Sequence, residues 1–301
     1  MNIVVCIKQT PDSNSVYIDP ISGQVDYERF VQVLDAVDAC AVEAAVCLKE
    51  QFGGTVTAIT LGSKEAEGAL RAALAIGADA AVRLWNASAD AWGPFTIAEA
   101  LALSIKNNGP PDLVLCGDAS SDWASGIVGP ALAELLAWPQ VTGVSRLEAV
   151  SRDEQNEQGV HIAADTQITL RVTRKLERGY REILTAKLPL LITVTGDLNE
   201  PRYPSLPAHL AALKAAIPVV DPLSYDSALG QAEADETILE MHTPRPLPRW
   251  IAAPDSHHSA FERIGEIVSG GATGKSVRLV EGSPEVLAQV LVDFLRETGF
   301  I

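Results

Sequence analysis

The sequence predicts an α/β protein, a mostly parallel doubly wound sheet of adenine-nucleotide-binding type with antiparallel additions and an extended C-terminal arm. Two observations carry this. Short apolar, β-branched runs alternate with helical patterns through the first half of the chain, and the runs end at Gly or polar turns. Strands joined in this way by helices build a parallel sheet covered on both faces.

The elements follow in order. Ile3 to Ile7 is apolar and is followed by Lys8. It is too short for the apolar core of a signal peptide and reads as a first buried strand. Ala36 to Phe52 places Val42, Ala45, Val46 and Leu48 at helical spacing. Thr55 to Leu61 (TVTAITL) is a strand ending at Gly62, and Lys64 to Ile76 is an Ala-rich helix closed by Gly77. Ala80 to Leu84 is a strand and Thr96 to Lys106 a helix. Asp112 to Cys116 (DLVLC) is a buried strand running into Gly117, and Gly129 to Leu136 is a further helix. From Val141 the pattern changes. VTGVSRLEAV, HIAADTQITLRVTRKL and REILTAKL read as strands and LPLLITV as a buried one, all expected as antiparallel additions.

After Glu200 the chain turns Pro-rich and loses its periodicity (EPRYPSLPAHL, IPVVDPL, TPRPLPRWIAAP). It reads as an arm laid on another surface. Helix Phe261 to Val268, strand Ser276 to Val280 and helix Pro284 to Thr298 close it. Two regions result: residues 1–198, an α/β domain, and residues 199–301, an irregular segment and C-terminal arm.

The net charge of −16 over 301 residues argues against nucleic acid, whose phosphates would be repelled. Apolar runs stop well short of the ~18 residues a membrane span needs, so none is expected. Cys6, Cys40, Cys47 and Cys116 lie in apolar surroundings without metal-ligand spacing, which predicts buried free thiols in a reducing cytoplasm. No nucleophile-base grouping, paired carboxylates or metal cluster stands out, and a chain without catalytic residues of its own is expected.

Two Gly-rich stretches invite a phosphate. SGGATGKSVRLVEG (269–282) ends in Gly-Lys-Ser, but the first Gly of a phosphate-binding loop would fall on Ser269. Here, too, a helix precedes and a strand follows, the reverse of the order that brings phosphate to a helix N-terminus. It reads as a helix-to-strand turn, which disfavours an ATP-using ligase or pyrophosphatase. GDASSDWASGIVGP (117–130) leaves a buried strand at its carboxyl end and runs into a helix. Its backbone amides, the hydroxyls of Ser120, Ser121 and Ser125, and the helix dipole suit a phosphate.

Several segments together resemble the beta subunit of electron transfer flavoprotein. VTRKLERGYREILTAKLPLLIT (172–193) is similar to the family signature, with Arg174, Glu177, Gly179, Glu182 and Pro189 in place and a departure at Arg178. LNEPRYPSLP (198–207) resembles the opening of the family's partner-recognition loop. ALAIGAD, DLVLCG, AWPQVT and the closing RIGEIVSGG…VEGSPEVLAQVLVDFLRETGFI also fit. The resemblance implies an alpha-subunit partner forming a heterodimer, one redox-active FAD held largely by that partner, and a structural AMP in this chain. In electron-bifurcating relatives a second FAD takes that place. Electrons would come from flavin dehydrogenases such as acyl-CoA dehydrogenases and pass to a quinone oxidoreductase or other acceptor.

Carried over by the resemblance, the nucleotide site comprises Cys6, the segment Asp35, Ala36, Val37 and Asp38, then Leu61. It continues through Gly117, Asp118, Ala119, Ser120, Ser121, Asp122, Trp123, Ala124, Ser125, Gly126, Ile127 and Val128. The partner-recognition residues are Glu200, Pro201, Arg202, Tyr203 and, as the apolar anchor between Pro204 and Pro207, Leu206. Asp35 stands where the family has Asn; it only accepts hydrogen bonds and would repel a nearby phosphate. Ile127 lacks the Gln amide, and Trp123 could stack on an adenine or fill space. The alternatives are a stand-alone nucleotide-binding protein of universal-stress type or a beta-like subunit without nucleotide.

Overall fold

Several helices here begin or end where the sequence supplies a cap or a break. The computed structural model describes residues 1–15, 17, 30–150, 168–230, 258–268 and 282–297. The strands are β1 (Asn2–Cys6), β2 (Gln9–Pro11), β3 (Gln32–Leu34), β4 (Thr55–Leu61), β5 (Ala80–Leu84), β6 (Leu113–Gly117), β7 (Gln140–Val150), β8 (Thr169–Lys175), β9 (Arg181–Lys187), β10 (Leu190–Val194) and β11 (Val219–Val220). The helices are α1 (Ala36–Phe52), α2 (Glu67–Ile76), α3 (Pro94–Asn107), α4 (Val128–Leu136), α5 (Leu206–Lys214), α6 (Ala260–Val268) and α7 (Pro284–Glu297). Asp35 caps α1 by accepting from the Val37 amide, Gly77 ends α2, and Pro94, whose missing N–H is no loss at a helix start, opens α3.

Nine strands form one sheet in the order β11-β5-β4-β1-β6-β10-β7-β8-β9. Ladders from β11 to β7 are parallel, and only β7–β8 and β8–β9 are antiparallel. The expectation that all four late strands add antiparallel is therefore corrected. β10 is inserted between β6 and β7 and pairs parallel with both. Its five residues are all buried, as an interior strand requires. The strand alternation sorts the core into two layers. Ile3, Val5, Leu113, Leu115, Leu190 and Ile192 pack with α1 and α2, whereas Cys6, Val114, Cys116 and Leu191 pack with α3 and α4.

The chain divides into two compact units, Met1–Pro244 and Arg245–Ile301. The stretch after Glu200 is expected to be an arm laid elsewhere, but its first part packs on its own unit. Helix α5 lies on α2, where Arg71 Nη1 donates to the carbonyls of Ala212, Leu213 and Ala215 at 2.7, 2.9 and 3.1 Å, and β11 extends the sheet beside β5. A nine-residue helix with only Ala212 buried leaves almost no periodic apolar signal to read. Cys47 is exposed on α1, correcting its expected burial, while Cys6, Cys40 and Cys116 are buried. In the second unit, α6 and α7 match the two expected helices. Strand Ser276–Val280, most of the Gly-Lys-Ser stretch and most of HIAADTQI lie outside the described residues. No helix among the described residues is long and apolar enough to cross a membrane.

Leu191 sits fully buried at the centre of the sheet. Leu191→Ala should cost about 2–5 kcal/mol in chemical denaturation; a loss under about 1 kcal/mol would show that the α3–α4 layer collapses to fill the space.

Candidate functional site

The parallel strands put their carboxyl ends on one edge, and the chain order reverses between β1 and β6, where a crevice opens in sheets of this kind. Cys6 ends β1, Leu61 ends β4, and Gly117 ends β6 and starts the loop that leads to α4. The N-terminus of α1, with Asp35 to Asp38, meets this edge. Gly117 is required by that approach: a Cβ there would lie 2.7 Å from Oδ1 of Asp38. Gly129 lets α4 close onto the sheet, since a Cβ would meet Thr193 Cγ2 at 2.6 Å and Cys116 Sγ at 3.0 Å.

Two buried carboxylates at the start of α1 hold the edge together. Asp35, 1% exposed, accepts from the Val37 amide at 3.0 Å, the Ser121 amide at 2.8 Å and the Thr10 hydroxyl at 3.3 Å. Asp38 accepts from the Lys8 amide at 2.7 Å and the Gly117 amide at 2.8 Å. The Lys8 ammonium lies 2.7 Å from both oxygens of Asp122 and 3.4 Å from the Ser120 hydroxyl. Three segments far apart in sequence are thus tied at one point. Lys8 and Thr10 are not among the site residues that the resemblance carries over; the signal for them is their place just past the carboxyl end of a buried strand.

Burial dominates the electrostatics. It pushes the Asp38 carboxyl up to about 7, against the Gly117 amide and with help from the neighbouring charge of Asp35. It pushes the Cys6 thiol up to about 12, so this cysteine is no nucleophile at neutral pH. Burial also raises Asp118. At Asp122 burial acts upward, but the Lys8 and Ser120 hydrogen bonds outweigh it and hold the carboxyl below its usual range.

The fit to a nucleotide divides between the two ends of this edge. Asp35 and Asp38 spend their acceptor atoms on backbone amides, so they shape the cradle and do not point unpaired charge into it. The loop itself is bent by left-handed Ala124 (φ 51°) and Gly126 (φ 63°), and Ala124 N–H donates to the Ser120 carbonyl at 2.9 Å. It delivers the chain to α4, whose N-cap is Ile127 and which no side chain caps. Uncapped first-turn amides and the helix dipole suit a phosphate. Trp123 is 81% exposed and turned to solvent, so it fills no space within this chain. Among the described residues no group of three or more His, Cys, Asp and Glu could hold a metal ion.

The residues expected from the resemblance to meet a partner gather at a second place, beside the same helix. Arg202 reaches Glu43 and Glu50 on the flank of α1, and Asn199 Nδ2 donates to the Cys40 carbonyl at 3.0 Å. Beyond this clasp Tyr203 is 99% exposed, and Leu206, first residue of α5, is 70% exposed. Ser205 caps α5 by accepting from the Ala208 amide. A groove of about 480 Å³ lies beside them, lined by Leu34, Ala72, Ile76, Pro201, Tyr203 and Leu213 among others. Glu43 and Glu50 were not foreseen, although two acids seven residues apart share one helix face.

Asp38 binds its proton more tightly folded than unfolded, where the ordinary value is 3.8. Its contribution to stability is therefore full below about pH 4 and is lost as pH rises through about 7. Denaturation midpoints between pH 5 and 8 should fall less steeply with rising pH in Asp38→Asn than in the wild type; equal slopes would show that Asp38 does not titrate in this window.

The electron transfer flavoprotein domain matches residues 25–224. Over 285 residues, 93% of this chain and 97% of the relative, the chain is 35% identical to electron transfer flavoprotein subunit beta of Thermoanaerobacterium thermosaccharolyticum. It is 35% identical over 223 residues to the caffeyl-CoA reductase-Etf complex subunit CarD of Acetobacterium woodii, covering 73% of this chain and 78% of the relative. To protein FixA of Azotobacter vinelandii it is 30% identical over 275 residues, 88% of this chain and 92% of the relative. The match over residues 25–224 and these identities along most of the chain lead to one statement: the chain belongs to the electron transfer flavoprotein family, among its beta subunits.

Proposed function

We propose that this chain pairs with an alpha subunit to form an electron-carrying heterodimer. The partner holds the redox-active FAD, and this chain binds AMP, or a second FAD, at the Asp35–Asp38 and Gly117–Val128 edge. The observation that carries the reading is that α1 bears a nucleotide-type cradle at its N-terminus and an exposed apolar segment, Tyr203 to Leu206, on its flank. A CoA-ester reductase complex among the relatives' names favours flavoenzymes acting on CoA esters as partners, and flavin dehydrogenases of acyl-CoA type serve as donors in this reading. A quinone oxidoreductase or another acceptor takes the electrons onward.

The flavin, when bound, supplies the electron carriage. This chain's own residues position and recognise. Loop amides at the start of α4 receive the nucleotide phosphate; Lys8, Asp35 and Asp38 keep the loop in place. The β8–β9 hairpin offers Leu176, Tyr180 and Ile183, exposed, to the alpha subunit, its strands stapled by Arg174 and Glu182 at 2.6 Å. The exposed apolar faces of α6 (Phe261, Ile264) and α7 (Val286, Leu291, Phe294) offer it more. Leu206 anchors the dehydrogenase.

The reading is tested by co-expressing the chain with its alpha subunit, purifying the complex and measuring nucleotides released on denaturation. One FAD and one AMP per heterodimer is the expected result; two FAD would indicate electron bifurcation. FAD alone would mean that the Gly117–Val128 loop carries no nucleotide, and no complex would overturn the carrier role. Leu206→Ala should raise the KM of the dehydrogenase reaction about ten-fold. A drop in Tm beyond about 5 °C would instead show Leu206 packing within its own chain.

A further inference from the structure

We propose that Arg202 is a positioning residue that fixes Tyr203 and Leu206 for docking, by clamping the chain before them onto two turns of α1. This deepens the docking role proposed above and rests on it.

The geometry is that of a fork in a double socket. Arg202 Nε lies 3.0 and 2.9 Å from the two oxygens of Glu43, and Nη2 lies 2.9 Å from Glu43 Oε1. Nη1 and Nη2 reach the two oxygens of Glu50 at 2.6 and 3.0 Å. The backbone N–H of the same residue donates to Glu43 at 3.1 Å, so main chain and side chain are held by one carboxylate. Glu43 is buried and receives a further hydrogen bond from the Cys47 thiol at 3.2 Å. Burial alone would push its carboxyl up, but the Arg202 hydrogen bonds prevail and hold it below the usual range, and they lower Glu50 as well. Only a planar guanidinium can serve two carboxylates at once in this way; an ammonium is a point donor.

The segment beyond the clamp is also fixed at its far end. Pro204 and Pro207 restrict the backbone, Ser205 caps α5, and Arg71 on α2 grips three carbonyls at the end of α5. Tyr203 and Leu206 therefore stand between two arginine clamps, one on each neighbouring helix, in a segment with little freedom left to lose. Ordering an apolar segment at the moment of docking costs affinity; ordering it beforehand avoids that cost. Arg202 contributes through the placement of its neighbours, and Glu50, half exposed, adds direction more than stability.

The test uses the intact heterodimer and an acyl-CoA dehydrogenase reduced by its acyl-CoA substrate. Arg202→Gln should raise KM about ten-fold with kcat within about two-fold, and exchange of the hydrogen-bonded amides of residues 202, 208 and 209 should quicken. Arg202→Lys should recover only part of the loss. In a Leu206→Ala background Arg202→Gln should add less than about two-fold, because the clamp acts through that side chain. Full multiplication of the two effects, or unchanged exchange at residues 202, 208 and 209, overturns the proposal. If Arg202→Gln fails to fold, Glu50→Gln gives the same readout, with a KM rise of about three-fold expected and unchanged exchange again overturning it. If Leu206→Ala alone leaves KM unchanged, the docking role itself falls, while the exchange measurement still decides the clamp.

Discussion

Two ionisable side chains at the first turn of α1 govern the edge of the sheet that matters. Asp35 and Asp38 accept backbone amides from the end of β1, the end of β6 and the loop before α4. A buried carboxylate without partners costs several kcal/mol, and hydrogen bonds to a charged group return about 1.5–3 kcal/mol each. Placing both acids where amides converge, and at a helix N-terminus that favours negative charge, turns a liability into a junction. Gly117 and Gly129 exist to let the pieces approach that junction. The Lys8–Asp122 pair closes it from the solvent side. The stretch of chain that delivers α4 is thus shaped before any ligand arrives.

The same helix serves a second purpose seven and more residues further on. Its N-terminal turn binds chain by accepting amides; its flank binds chain by accepting a guanidinium. Both rely on acids of one helix, and both hold segments remote in sequence. Because α1 packs its apolar face against β1, β4, β6 and β10, the two places share one stiff support. Under the proposed function, the positions for the nucleotide and for the docking partner are accordingly set by a common frame.

Much of the fold was legible because local rules and global architecture agree. The bounds of α1 and β4 follow from apolar spacing and from the glycines after them, and those of β5 from its short apolar run. The loop from Gly117 was legible as the exit of a buried strand. Its partners were not. Lys8 meets Asp122, and Glu43 meets Arg202, across 114 and 159 residues, and no periodicity encodes such pairings. Asp35 looked like a charge opposed to phosphate; only the contacts reveal that its acceptors are taken up by chain amides. The direction of β10 was misread because it follows two alternating, antiparallel strands in the chain; its unbroken apolar run was the available mark of a parallel strand covered on both faces. Helix α5 was missed because a short Ala-rich segment announces itself only through its cap.

The far end of the sheet carries a consequence for solubility. Among the described residues β9 is the last strand of the sheet, with Arg181, Ile183, Thr185 and Lys187 exposed. Such a margin is an open template for another strand. If two copies met antiparallel about Leu184, Arg181 of each would oppose Lys187 of the other; if they met parallel and in register, Arg would face Arg and Lys face Lys. Either homotypic pairing sets cation against cation, which is unfavourable directly across a ladder. The margin therefore rejects its own kind and stays receptive to a strand or loop bearing acids at the matching positions.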